Sequence, residues 1–326
     1  MNDIPKQKKI GILTSGGDAP GMNAAIRAAV RTAVVNGIKV MGITHGYQGL
    51  ITGAIHELST RSVSETIHRG GTILRPSRSP EMMTDEGCEK AANVCKVLGL
   101  DALIVIGGDG SIRGGIELTR RGVNVICIPA TIDLDLPCSE YTIGFDTAVN
   151  TGMEAINKIR DTSTSHERCS VIEVMGRHSG HIALWCGIVG GAEDIMVPER
   201  ESCNEDSIIE QIMENRAKGK RHNMIIVAEG VGRAVELAER IEKITGIETR
   251  VTILGYLQRG GSPTAVDRMH ASVMGYTAIE SFLNEERNKV IIYKNGRYTS
   301  IDIEESLTHE YGLDMKFYEI LKTLAN

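Results

Sequence analysis

Residues 9–44 read KIGILTSGGDAPGMNAAIRAAVRTAVVNGIKVMGIT. The first six, KIGILT (9–14), form a short apolar run suited to a buried strand. SGGDAPG (15–21) is rich in turn formers. MNAAIRAAVRTAVVN (22–36) repeats its apolar residues at helical spacing, and Gly37 supplies the stop. KVMGIT (39–44) is apolar again and reads as a second strand. Strand, loop, helix and strand in that order make the unit from which parallel sheets are built. The stretch predicts an α/β fold with a glycine-rich loop at the carboxyl end of its first strand.

The same alternation continues along the chain. A helix near 86–98 closes at Gly99, and ALIVIGG (102–108) follows as an apolar strand. NVICIPAT (124–131) is the next strand, and an amphipathic helix is predicted over about 146–161. CSVIEVMG (169–176) and NMIIVAEG (223–230) read as strands, with a helix across Trp185 between them. ELAERIEKITG (236–246) is a helix. RVTILGYLQRGGSP (250–263) passes from strand to loop, and another helix reaches about 284. KVIIYKNGRYTSIDI (289–303) carries an Asn-Gly pair between two β-like runs, a hairpin signal. A last helix is expected near the C-terminus. The pattern is that of a doubly wound α/β protein, and 326 residues suggest two domains.

Composition narrows the partners. A net charge of −6 argues against binding nucleic acid through bulk positive charge. The seven cysteines (88, 95, 127, 138, 169, 186 and 203) form no CxxC pair and read as reduced thiols of a cytoplasmic protein. MNDIPKQKKIGIL has no apolar core of a signal peptide, and IALWCGIVGGA (182–192) is too short to span a bilayer. No membrane association is expected.

Six loops follow the apolar runs: 15–21, 107–111, 131–137, 175–181, 229–233 and 255–262. In doubly wound sheets, loops at the carboxyl ends of strands form the ligand crevice. SGGDAPG and IGGDGS join strands to helices, where glycines let backbone N–H groups approach an anion. Neither matches GxGxxG or GxxxxGK[ST], so phosphate binding is expected without those motifs. Asp109 stands where Mg2+ would want a hard oxygen ligand, or where it would cap the helix that follows. PATIDLDLP (129–137) ends an apolar run with Asp133 and Asp135, which on a strand would share one face. Unpaired buried carboxylates are costly. One could instead accept a proton from an attacking hydroxyl while the other holds Mg2+, as phosphoryl transfer requires. Arg78, Arg168, Arg177, Arg250 and Arg259 fall in or near loops and suit phosphate. Any one of them alone reads as a solvated surface charge.

KIGILTSGGDAPGMNAAIR, GGDGS, TIDxD, YTIGFDTA, RDTSTSHER, VIEVMGRHSG, KGKRH and LGYLQRGGSP, in this order and spacing, closely resemble the bacterial 6-phosphofructokinase family. The likeness runs from about residue 8 to the C-terminal region. It implies two Rossmann-like three-layer domains with mainly parallel sheets and the active site in the cleft between them. A larger ATP-binding domain would take 1–143 plus 257–306. A smaller fructose 6-phosphate-binding domain would take 144–256 plus 307–326.

The implied activity is that of a glycolytic, Mg2+-dependent kinase. It would move the γ-phosphoryl group of ATP to O1 of fructose 6-phosphate. By motif, Asp133 would take the O1 proton, with Thr131 beside it, and Arg78 and Arg177 would counter charge on the transferring group. Gly17, Arg78, Ser79, Gly108, Asp109, Gly110 and Ser111 would line the ATP site, and Asp109 and Asp135 would hold the metal. Thr131, Ile132, Asp133, Met175, Gly176, Arg177, Glu229 and Tyr256 would face the sugar. Arg168, Arg250 and Arg259 would grip its 6-phosphate, the first two reaching in from a neighbouring subunit of a homotetramer. Arg27, Arg31, Arg160, Gly191, Glu193, Lys218, Lys220, Arg221 and His222 match the family's effector site, suited to ADP or phosphoenolpyruvate.

The chain departs from the family pattern at named positions. Leu134 replaces the asparagine of TIDND and is expected to alternate to the far face of an extended segment. Tyr256 replaces a histidine and cannot become cationic near neutral pH. Thr60 aligns with an effector arginine, with Arg61 adjacent, which implies a weakened or retuned effector site. Pyrophosphate-using relatives carry an acidic residue and a lysine where this chain has Gly110 and Ala130, so small residues here leave room for ATP. His178 and His181 are spaced i, i+3 without an evident third metal ligand, and read as ordinary helix-start residues. The competing readings are a non-catalytic or weakly active regulatory paralogue that binds nucleotide and sugar phosphate, a pyrophosphate-dependent enzyme, or another kinase of the GGDG type.

Overall fold

The computed structural model describes residues 7–200, 205–308 and 312–325. Cys203 and the first six residues lie outside the described residues. The chain divides into two units, one from 1–147 with 259–311, the other from 148–258 with 312–326.

The first unit opens with β1 (Lys9–Thr14), α1 (Met22–Val35), β2 (Lys39–Ile43), α2 (Gly46–Thr52) and β3 (Ile55–Leu58). It continues through α3 (Asp85–Leu98), β4 (Ala102–Gly107), α4 (Asp109–Arg120) and β5 (Val125–Pro129). The chain passes into the second unit within α5 (Phe145–His166), which is longer than its periodicity predicts. That unit holds β6 (Cys169–Val174), α6 (His181–Gly190), β7 (Asp194–Met196), α7 (Glu205–Ala217), β8 (Asn223–Ala228), α8 (Ala234–Thr245) and β9 (Thr249–Ile253). The chain returns to the first unit for α9 (Ala265–Leu283), β10 (Lys289–Lys294) and β11 (Arg297–Asp302), and ends in the second with α10 (Met315–Leu324).

The larger sheet has the order β11-β10-β5-β4-β1-β2-β3. Its central strands are parallel, with Ile10 opposite both Val40 and Ala102. All six residues of β4 are buried, as a strand covered on both faces requires. Strand order reverses between β1 and β4, the switch point at which doubly wound sheets open a crevice. Both edges are antiparallel. The β10–β11 turn uses Asn295 and Gly296 at φ +52° and +73°, the conformation an Asn-Gly hairpin turn demands. β3 escapes sequence reading because it is four residues long and two of them, His56 and Glu57, are exposed.

The smaller sheet is fully parallel, in the order β7-β8-β6-β9. Val171, Ile225 and Val227 pack with Ile212, Leu237 and Ile241 into its core. α10 is anchored by the buried carboxylate of Asp194, which accepts from Tyr318 Oη and Lys322 Nζ, each at 3.0 Å. The six described cysteines are free and buried, and burial pushes the Cys169 and Cys186 thiols up to about 12. Among the described residues no helix is long and apolar enough to cross a membrane.

Candidate active site

In the first unit, three loops leave neighbouring strands β1, β4 and β5. The loop after β1 starts where Ser15 N donates to Ile106 O at 3.0 Å. The β4 loop must pass very close to it. A Cβ on Gly107 would lie 2.3 Å from Ser111 Oγ and 2.5 Å from Ser15 O. α4 begins directly after Gly108, which takes the cap position itself, so Asp109 does not cap the helix. Its carboxylate instead pairs with Arg113 Nε at 3.1 Å, one helical turn on. Ser111 Oγ is buried and has no hydrogen-bond partner among the described residues. A Cβ on Gly110 would meet no described residue within 4 Å.

The β5 loop carries the paired acids, and their setting differs from the sequence expectation. β5 ends at Pro129, and residues 132 and 133 form a turn rather than a strand. Thr131 Oγ1 donates to Asp133 Oδ2 at 3.3 Å and accepts from Asp133 N at 3.2 Å. Asp133 is only 6% exposed, and Ile132 beside it is buried. Leu134 has φ +52°, so it does not alternate across an extended segment as expected. Left-handed backbone crowds a Cβ, and asparagine tolerates it better. Leu134→Asn should therefore raise unfolding stability by about 1 kcal/mol, read as a higher urea midpoint at unchanged slope. An unchanged or lower midpoint would remove this account of the loop.

Arg78 is exposed, whereas the Ser79 hydroxyl is engaged. It donates to Gln48 Oε1 at 2.8 Å and accepts from Met82 N at 3.2 Å. The segment leading to both is pinned by buried Asn23, which bonds Arg69 O, Gly71 O and Ile73 N at 2.8–2.9 Å. Sequence reading assigned Asn23 no role, although it lies within the quoted stretch KIGILTSGGDAPGMNAAIR. Arg259 lies over the β1 loop, with Nη1 3.5 Å from Asp18 O and 2.3 Å from where a Gly17 Cβ would stand.

In the second unit, the β6 loop holds Gly176 at φ +147° and Arg177 at φ +55°. A Cβ on Gly176 would fall 2.4 Å from Ser179 O. Arg177 N donates to Glu229 Oε2 at 3.2 Å, which brings two predicted sugar residues together. Met175 N is held by buried Gln258 Oε1 at 2.7 Å, another partner that sequence reasoning missed. His181 starts α6, and burial depresses its imidazole to about 4, so it is neutral near pH 7. His178 precedes the helix.

Glu248 lies between Arg168, whose Nε is 2.7 Å away, and Arg250. The Arg168 hydrogen bond, ahead of the other charges, holds the Glu248 carboxyl below its usual range. Tyr256 is 84% exposed.

Of the effector set, Arg160, Gly191, Glu193 and Lys220 fall close together. Arg160 donates to Gly190 O and to Gly191 O. Buried Glu193 pairs with Lys220 Nζ at 2.7 Å and accepts from Met224 N. Arg221 pairs with Glu167 at 3.2 Å, and Lys218 is exposed. Arg27 and Arg31 lie on α1, in the other unit.

Among the described residues no group of three or more His, Cys, Asp or Glu side chains could form a closed metal cage. Mg2+ bound with a nucleotide needs only one or two carboxylates, the rest being phosphate and water oxygens. Asp109 and Asp135 are of the right chemistry for that smaller demand.

Residues 9–282 match the family model described as Phosphofructokinase. A protein of Clostridium botulinum named ATP-dependent 6-phosphofructokinase is 55% identical over 318 residues, covering 98% of this chain and 99% of that one. Among solved structures, the phosphofructokinase of Saccharomyces cerevisiae superposes with a TM-score of 0.85 at 35% identity. That match covers 92% of this chain but 45% of the yeast chain. The Pichia pastoris phosphofructokinase in the T-state superposes with a TM-score of 0.87 at 35% identity, over 94% of this chain and 36% of that one.

Proposed function

The chain belongs to the phosphofructokinase family, and from that premise we propose that it transfers the γ-phosphoryl group of ATP to O1 of fructose 6-phosphate, giving fructose 1,6-bisphosphate and ADP. The observation that carries this reading is Asp133. It is a nearly buried carboxylate on the β5 loop, hydrogen-bonded to Thr131. Thr131 in turn lies against the β4 loop, 3.4 Å from where a Gly108 Cβ would stand.

In this mechanism Asp133 accepts the O1 proton as the alcohol attacks. Thr131 orients the carboxylate through the hydrogen bond it donates. Gly108, Gly110 and Ser111 line the phosphates, and the unpaired Ser111 hydroxyl is free to donate to one. Gly17 and Ser79 complete the nucleotide site. Arg78 and Arg177 balance charge on the moving group. Asp109 and Asp135 hold Mg2+, which when bound offsets charge on the nucleotide's phosphate oxygens. Met175, Gly176 and Glu229 hold the sugar, and Arg168, Arg250 and Arg259 its phosphate. In the proposed homotetramer, Arg168 and Arg250 serve the site of a neighbouring subunit. The cluster around Glu193 and Lys220 takes ADP or phosphoenolpyruvate, and the enzyme works in the cytoplasm.

A coupled assay with Mg2+, fructose 6-phosphate and either ATP or pyrophosphate tests the reading. Turnover with ATP is expected. The open space at Gly110 and the small side chain of Ala130 favour that donor. Turnover with pyrophosphate alone, or with neither, would overturn it. Tyr256 bears on the acceptor. Tyr256→His restores a side chain that can be cationic near a dianion, so KM for fructose 6-phosphate should fall with kcat steady. An unchanged KM would show that this position does not touch the 6-phosphate.

A further inference from the structure

Asp267 lies in the first turn of α9, 126 positions along the chain from Tyr141. It is fully buried. Its carboxylate accepts from Tyr141 Oη at 2.6 Å, Gly144 N at 2.6 Å, Thr147 N at 2.8 Å and Thr147 Oγ1. All four donors lie at the end of one segment, where the loop that starts at Thr131 runs into α5. The same end is tied back to the loop's start. Thr142 Oγ1 donates to Thr131 O at 2.7 Å, Ile143 N donates to Pro129 O at 3.1 Å, and Ala130 and Ile143 form a parallel bridge. Residues 131–142 therefore form a loop closed at its base, and Asp267 holds that base from outside.

Close packing tightens the same point. Gly144 has φ +108°, and a Cβ there would stand 2.7 Å from Ala19 Cβ in the β1 loop and 3.2 Å from Ile132 Cγ2. A buried carboxylate is costly unless its oxygens are fully satisfied. Four short donors meet that cost, and they also fix the geometry of what they belong to.

We infer that Asp267 is a positioning residue for the reaction, setting the loop that carries Asp133 and Asp135 through Tyr141, Gly144 and Thr147. The inference rests on the reading of Asp133 as the base. Displacing a reacting group by about 1 Å can cost on the order of 100-fold in rate. Asn at 267 keeps the shape but leaves one accepting oxygen and turns an NH2 toward N–H and O–H donors. The loop base then loosens while the nucleotide and sugar contacts made elsewhere persist.

The test compares wild type, Asp267→Asn and Tyr141→Phe in the full chain, with kcat and both KM values normalised to folded enzyme. Asp267→Asn should lower kcat at least about tenfold, with KM for ATP and for fructose 6-phosphate within about threefold. Tyr141→Phe removes one donor of the four and keeps the ring stacked on His270. It should lower kcat about threefold and leave the fold intact. If Asp267→Asn does not fold, Tyr141→Phe decides: an unchanged kcat overturns the inference. Equal kcat per folded enzyme in all three proteins also overturns it, as does a rise in both KM values without a fall in kcat. Wild type inactive with ATP and fructose 6-phosphate would instead remove the functional reading on which the inference stands.

Discussion

Asp133→Asn is expected to lower kcat by about 10²–10⁴-fold, the range that a positioned general base contributes. Asparagine keeps the side-chain volume and an oxygen that can still accept from Thr131 Oγ1, so the turn at 131–133 should survive. What it cannot do is accept the proton from an attacking hydroxyl. KM for ATP should hold, because the proposed nucleotide contacts come from the β1 and β4 loops and from Arg78 and Ser79. KM for the sugar should move little, since O1 can still hydrogen-bond to the amide. Stability should stay level or rise slightly, because a nearly buried charge is replaced by a neutral amide. Steady-state kinetics with a thermal melt on the same sample reads all of these. A variant with wild-type kcat would show that Asp133 is not the base.

Gly107→Ala is expected to have the second large effect. Its Cβ would meet Ser15 O at 2.5 Å and Ser111 Oγ at 2.3 Å. The hydroxyl can rotate away, but the carbonyl belongs to the β1 loop and cannot move without it. Ser15 N is itself bonded to Ile106 O, so the strain passes into the junction of β1 and β4. Overpacking of this kind costs about 1–3 kcal/mol. Because the loops that move are those proposed to line the phosphates, KM for ATP should also rise, by about tenfold. Gly110→Ala is the internal control for stability. Its Cβ meets nothing within 4 Å, and alanine favours the helix by about 1 kcal/mol. Equal melting behaviour of the two variants would show that the close approach at Gly107 is not what constrains the loops.

The alternation of apolar strand and amphipathic helix is written locally, and it was sufficient for the parallel sheets and the hairpin. Period and turn chemistry act over a few residues, so a reader of sequence has access to all of the physics involved. The same holds for the glycine-rich loops at the strand ends, whose residue types announce close backbone approach. Short elements were harder. β3 and β7 carry too few apolar residues to show a period, and they pair because strands already in place present an edge.

The candidate site is proposed from residue type, and its expected conformation was partly wrong. Two aspartates two apart suggested a strand, yet the backbone turns at 132–133 and Leu134 enters the left-handed region. Asp109 had an available helix start to cap, but Gly108 took that place and the carboxylate found Arg113 instead. Asn23 and Gln258 lie within quoted motifs, yet the roles of Asn23, Gln258 and Asp267 in holding the loops could not be read locally. Asp267 meets Tyr141 across 126 positions and Gln258 meets Ala148 across 110.

What the linear order of residues determined by itself is the class of fold and the inventory of chemistry, because hydrophobic period, turn propensity and side-chain type are properties of neighbours. What only the tertiary structure decided is which carboxylate is buried, which way the loop turns and which distant side chain holds it. Those outcomes depend on satisfying polar groups once water is excluded, and the partners that satisfy them are brought together only when the sheet and its helices have packed.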